Sequence, residues 1–209
     1  LQGRAPSGAR DTAKPADPII VHPDVRRMLM TQRAPTEGCR MLALWTAQAL
    51  DVSERHGDPA VRKQADDMVA LMTPVVKAFL TDCGVEVANL GIQVLGGHGF
   101  IRANGQEQYL RDVRITPIYE GTNGVQSMDL LGRKVLHLDL FDHFGLPVQH
   151  FVETHEGDER LAEFVEPLAA SFDLLEDATR VIRERAGKHP EETGAAAVDY
   201  MRLFALTAV

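Results

Sequence analysis

One carboxylate and one glycine-rich loop carry the residue types that could do chemistry in this chain. Glu120 follows the aromatic Tyr119 and precedes Gly121-Thr122-Asn123, where an apolar helical pattern begins. A carboxylate so placed can act as a general base: the glycine lets a substrate approach the backbone, and first-turn N–H groups can steady a developing negative oxygen. It can equally be surface charge that complements a positive helix end, with Thr122 as the cap; the residues alone leave both readings open. Upstream, Gln93-Val94-Leu95-Gly96-Gly97-His98-Gly99-Phe100 closes a helix. Its glycines permit positive φ and close approach by a phosphate or a flat ring, or simply form a helix C-cap and turn. It is not a dinucleotide-binding fingerprint, since no strand precedes it and the G-x-G-x-x-G spacing is absent.

The elements that must hold these residues read as helices throughout. His22-Pro23-Asp24 opens the first, with Pro23 near the first turn, and an apolar stripe runs through Val25, Met28 and Leu29 and resumes at Leu42, Trp45, Ala49 and Val52. Pro35 should kink or split it. His56-Gly57-Asp58-Pro59 ends that helix and caps the next, and so short a connection predicts antiparallel neighbours. The second stripe spans Met68 to Val94, interrupted by Pro74. A short amphipathic helix follows over 107–113, and another starts near Thr122 with Val125, Met128, Leu131 and Val135 on one face.

Four segments are expected: an extended arm over 1–19, poor in large apolar side chains; a bundle over 20–138; a linker over 139–157, where the pattern loosens around Gly145, Pro147 and several histidines; and a helical extension over 158–209, whose completeness is left open. In the extension Asp158 caps a helix bent at Pro167, and a last helix runs from Pro190 to Leu206. The predicted class is therefore all-α, an up-and-down four-helix-type bundle followed by a smaller helical extension.

Composition narrows the partners. A formal charge of −8 disfavours nucleic acid and anionic membranes, and no apolar run approaches a membrane span by inspection. Two cysteines, Cys39 and Cys83, in apolar helical patterns suggest buried free thiols in a reducing compartment, hence the cytoplasm. His137, His143, His150 and His155, with Asp139 and Asp142, do not repeat a metal-ligand spacing, so no metal is expected. The chain begins at Leu1 without an initiator Met, which suggests a fragment or a processed chain.

Taken together, Gln93 to Phe100, Tyr109-Leu110-Arg111-Asp112 and Ile118-Tyr119-Glu120-Gly121-Thr122-Asn123 with Val125-Gln126 closely resemble the C-terminal helical domain of the acyl-CoA dehydrogenases. The tail from Asp139 resembles an extra helical domain found in a subset that includes 3-methylthiopropanoyl-CoA dehydrogenases. The resemblance implies that Glu120 removes the α-proton of an acyl-CoA thioester while hydride passes to FAD, and that the glutamate's own N–H helps hold the thioester oxygen. It assigns Gln93, Val94, Leu95, Gly96 and Gly97 to the FAD of a neighbouring subunit, Thr122 and Asn123 to FAD, and Gly121 to substrate. Arg133 lies one position out of register with an arginine that holds the CoA moiety in the family and is the remaining candidate substrate contact. Arg111 and Asp112 read as a structural ion pair. Gly124 stands where many members carry a glutamine that touches FAD, and Leu1-Gln2-Gly3-Arg4 resembles the start of a flavin-contacting segment.

The expected activity is thus FAD-dependent α,β-dehydrogenation in a homo-oligomer, dimer or tetramer, with electron-transfer flavoprotein as acceptor, as in fatty acid β-oxidation. The family's N-terminal helical and central β-domains are absent from the sequence, so the isolated chain is expected to be inactive. An acyl-CoA oxidase, passing electrons to oxygen, and a non-catalytic helical interaction module remain as alternatives.

Overall fold

A computed structural model describes residues 3–209. Leu1 and Gln2, half of the segment likened to a flavin contact, lie outside the described residues. All regular structure among the described residues is helical, as the apolar periodicity requires. The principal helices are α1 (Pro23–Arg55), α2 (Pro59–Leu95), α3 (Gly97–Phe100), α4 (Gln106–Val113), α5 (Asn123–Met128), a π-helical segment over Asp129–His137, α6 (Asp142–His155), α7 (Ala162–Ala186) and α8 (Glu191–Ala208).

Helix α1 does not split at Pro35; it runs through it. Around the proline, Thr36 Oγ1 donates to the Gln32 carbonyl at 2.6 Å, and Arg33 pairs with Glu37 at 2.8 Å on the exposed face. The punctuation at 56–59 acts as read, with the Ala60 N–H donating to Asp58 Oδ1 at 2.8 Å to start α2. Helix α2 corrects one expectation. It holds a window of mean hydropathy 1.5, long and apolar enough by length and composition to cross a membrane, because lone charges such as Lys77 and Asp82 only hide the run from inspection. The same composition serves a core helix, and Met68, Leu71, Met72, Val75 and Ala78 are buried.

The chain forms two compact units. The first, Leu1–Gly38 with Asp82–Ile115, holds the N-terminal segment, part of α1, the end of α2, and α3 and α4. The arm in it is not extended. Asp17, fully buried, accepts hydrogen bonds from the N–H groups of Ala5 (3.1 Å), Arg10 (3.0 Å) and Asp11 (3.4 Å), with Arg4 at 3.6 Å. These bonds, that from Ala5 foremost, hold its carboxyl below the ordinary range. One side chain thus folds the arm back on itself, which composition could not reveal.

The second unit, Cys39–Thr81 with Thr116–Val209, has one apolar core. Leu42, Leu71 and Val75 meet Leu130, Leu131 and Val135 of the π segment, Phe141 and Phe144, Phe172 and Leu175 of α7, and Tyr200 and Phe204 of α8. The expected linker over 139–157 is accordingly corrected: it contains α6, which places Phe144 4.5 Å, centroid to centroid, from Phe204. Gly145 and Pro147 looked like breakers, but a Cβ on Gly145 would lie 3.3 Å from both Phe141 and Phe172, so the glycine permits close packing. Residues 158–209 share this core and do not form a separate body.

Candidate active site

Glu120 sits at φ 54 and Gly121 at φ 85, two consecutive residues in the left-handed region. Glycine adopts this freely; glutamate does so at a cost of about 1–2 kcal/mol. Such strain persists only where surrounding contacts over-determine it, and here they do. Gln126 Nε2 donates to the Glu120 carbonyl at 3.0 Å, and Lys77 Nζ, from the middle of α2, donates to the Gly121 carbonyl at 2.6 Å. The Glu120 side chain is exposed, and the N–H groups of Glu120 and Gly121 donate to no group among the described residues. The turn therefore offers an acceptor and two free donors on one short stretch of backbone.

Thr122 is the N-cap of α5, its Oγ1 accepting from the Val125 N–H, as the sequence indicated. Asn123, assigned to FAD by resemblance, ties the turn to α2 in the structure. Its Oδ1 accepts from Lys77 Nζ at 2.8 Å, its Nδ2 donates to the Ala78 carbonyl and to Thr81 Oγ1, both at 3.0 Å, and its N–H donates to the Pro117 carbonyl at 3.1 Å. Its side chain is committed to tying the turn to α2. Lys77 and Thr81 are the residues sequence reading missed as parts of this site, and Gln126, quoted with the motif, has no role assigned from the sequence. Lys77 and Thr81 lie more than forty positions upstream of the turn, so no local signal could have found them.

The other candidates fall as follows. Gln93, Leu95, Gly96 and Gly97 are exposed at and beyond the C-terminal end of α2, and Val94 is half-buried. Gly96 has φ 59, the positive value expected of a helix-terminating glycine. Cβ atoms on Gly96 or Gly97 would meet nothing within 4 Å, so the loop backbone is bare, whereas Gly99 is required by packing: a Cβ there would lie 2.6 Å from the Ile92 carbonyl oxygen. This loop belongs to the first compact unit; Glu120 to Asn123 and Arg133 belong to the second. Arg133, on the π segment, is hydrogen-bonded to Asp129, which raises its pKa and uses part of the guanidinium. Arg111 and Asp112 do not pair with each other; Asp112 accepts from Gln108 Nε2 at 2.6 Å, one helical turn away. Among the histidines, His143 lies 3.6 Å from Asp67 and His155 Nδ1 is 2.8 Å from the Phe151 carbonyl. A pocket of about 510 Å³ in the second unit, lined by Trp45, Ala49, Met68, Leu146 and Pro147 among others, includes none of the predicted site residues.

Each compact unit thus carries one candidate feature: the second a glutamate on a braced left-handed turn, the first a glycine-bare loop at the end of α2. Residues 4–136 match the family described as acyl-CoA dehydrogenase, C-terminal domain, and residues 145–209 match acetyl-CoA dehydrogenase C-terminal like. The chain belongs to the acyl-CoA dehydrogenase family.

Among its relatives, the 3-methylmercaptopropionyl-CoA dehydrogenase of Ruegeria pomeroyi is 41% identical over 218 aligned positions, covering 97% of this chain and 34% of that protein. The broad-specificity linear acyl-CoA dehydrogenase FadE5 of Mycobacterium tuberculosis is 37% identical over 77% of this chain and 27% of its own length. The chain thus spans about a third of the curated relatives it matches. Caenorhabditis elegans ACDH-11, solved in complex with C11-CoA, shares the fold with a TM-score of 0.69 at 24% identity, over 90% of this chain and 32% of that one.

Proposed function

We propose that this chain is the C-terminal helical part of an enzyme that dehydrogenates an acyl-CoA thioester between Cα and Cβ, with Glu120 as the base that takes the α-proton. The observation that carries the reading is the strained, doubly braced backbone at Glu120, with an exposed carboxylate and free N–H groups beside it. Removing an α-proton puts negative charge on the thioester oxygen, and the free Glu120 N–H is a donor of the kind that lowers such a charge in energy. Gly121 is the candidate substrate contact on the turn, its Cβ side being covered by the Gln126 amide, and Arg133 is the candidate contact for the CoA portion. The relatives are named for methylmercaptopropionyl, linear acyl and butyryl thioesters, so the shared acyl-CoA group is what the reading assigns.

The residues present fit FAD: the bare backbone at Gly96 and Gly97, with Gln93 exposed beside it, presents an open edge to a flat ligand, and Thr122 borders the base. When bound, FAD supplies the hydride acceptor. In this reading Gln93 to Gly97 serve the FAD of a neighbouring subunit in a cytoplasmic homo-oligomer, electron-transfer flavoprotein takes the electrons, and the chain alone does not turn over. Support comes from family membership.

The test is Glu120→Gln in the full-length protein, followed by anaerobic bleaching of the flavin with butyryl-CoA. The rate is expected to fall by about 10²–10⁴-fold; near wild-type bleaching would refute the assignment. Rapid peroxide formation without an added acceptor would transfer the reading to an oxidase.

A further inference from the structure

We propose that Lys77 and Gln126 are positioning residues for the Glu120 base, a clamp that holds the two peptide planes on its C-terminal side. The inference rests on the reading of Glu120 as the base. Its starting point is that both residues at positive φ have their carbonyls captured by side chains: Glu120 by Gln126 Nε2 at 3.0 Å, and Gly121 by Lys77 Nζ at 2.6 Å. A carbonyl fixed in direction fixes its peptide plane, because the amide is rigid. With the planes after Glu120 and after Gly121 both fixed, the Cα–Cβ direction of Glu120 and the Gly121 N–H have little freedom left.

Lys77 is not a fully solvated lysine. It is half-buried on α2, no carboxylate pairs with it among the described residues, and its ammonium is divided between the Gly121 carbonyl and Asn123 Oδ1 at 2.8 Å. A cation held by carbonyl-type oxygens is a stiff, charge-assisted tether. Asn123 extends the tether to the Ala78 carbonyl and Thr81 Oγ1, so the turn is referenced to three residues within little more than one turn of a 37-residue helix. From the other side, the amide of Gln126 lies over Gly121, 3.0 Å from where a Cβ would sit. A rigid long helix on one side and the first turn of α5 on the other thus aim the carboxylate.

The experiment uses the full-length protein loaded with FAD, in the variants Lys77→Met, Gln126→Ala and Lys77→Arg, with Glu120→Gln as control. Steady-state kinetics are measured with butyryl-CoA and its α-dideuterated form, alongside thermal melting. Lys77→Met and Gln126→Ala are each expected to lower kcat about 10–100-fold with KM within about threefold, since a misplacement near 1 Å costs about that much. The α-deuterium isotope effect should stay full or rise, and Lys77→Arg, with two donors in one fork, should recover most of the rate. Wild-type kcat in both truncations overturns the clamp, as does a slowing whose isotope effect collapses toward one, because the impaired step is then not proton removal. Should Lys77→Met fail to fold, Gln126→Ala carries the test alone. Turnover by Glu120→Gln refutes the base itself; a dead Glu120→Gln beside fully active Lys77→Met and Gln126→Ala refutes only the clamp.

Discussion

Gln126 Nε2 donates to the carbonyl oxygen of Glu120 across 3.0 Å and six residues of chain, although Glu120 stands in a backbone conformation its side chain disfavours. The bond links function to stability at one residue. Replacing Glu120 by Gly removes about 1–2 kcal/mol of left-handed strain and adds about 0.4–1 kcal/mol of unfolded-state entropy. The variant is therefore expected to melt at or slightly above the wild-type temperature while losing dehydrogenation; a clear drop in melting temperature contradicts the strain account.

Gly121→Ala should do the reverse. It places a methyl 3.0 Å from the Gln126 amide and imposes φ 85 on a residue with a Cβ. A loss of about 1–2 kcal/mol is expected by chemical denaturation, together with lost activity. Wild-type stability would mean that the turn relaxes freely.

Tyr200 and Thr179 share a buried hydrogen bond of 2.7 Å between α8 and α7, and Thr179 also donates to the Leu175 carbonyl. Tyr200→Phe should cost about 1 kcal/mol, whereas Thr179→Val, which strands the buried phenol, should cost about 1–3 kcal/mol. Equal losses in denaturant melts would contradict this asymmetry. Burial also raises the Tyr200 pKa above its ordinary value of 10.0. A group whose pKa is raised on folding supports stability below its unfolded value, and that support is lost as pH climbs past about 10. Ultraviolet titration should find one of the three phenols protonated until the protein unfolds.

Asp17 has the opposite sign. Its carboxyl is held below the ordinary 3.8 by the N–H bond from Ala5 and those from Arg10 and Asp11. A depressed pKa supports stability above that value, and the support fades as pH falls through the folded value. Asp17→Asn should speed amide exchange at Ala5, Arg10 and Asp11 and weaken this acid dependence. Unchanged exchange at those amides would show that Asp17 does not close the arm.

Phe144 tests whether α6 belongs to the core. It is fully buried and tilts against Trp45, Phe172 and Phe204, with centroids 6.3, 6.4 and 4.5 Å away. Phe144→Ala should cost about 3–5 kcal/mol in denaturant melts. A loss below about 1 kcal/mol would return residues 139–157 to the status of a linker.

Much of the local structure was legible. Gly57, Asp58 and Pro59 act within their own turn, so they ended α1 and started α2 as written. Thr122 caps α5 for the same reason, and the three- and four-residue apolar spacings marked the helices that carry the core. Pro35 left a kink and a split both open, and the helix continues through it. Gly145 misled because a small residue reads as a breaker until the facing phenylalanines are known. The arm over 1–19 misled because its composition lacks large apolar side chains, whereas one carboxylate, Asp17, on which three N–H groups converge, holds it folded.

By itself the sequence determined the all-helical class, the helix boundaries at 55–59 and the family motif around Glu120, since each depends on residues within a few positions of one another. Only the tertiary structure decided that Glu120 is left-handed, that Asn123 binds α2, and that Lys77 reaches Gly121. Those depend on groups separated by up to 46 positions, which meet only when packing of the apolar stripes brings α2 beside the turn.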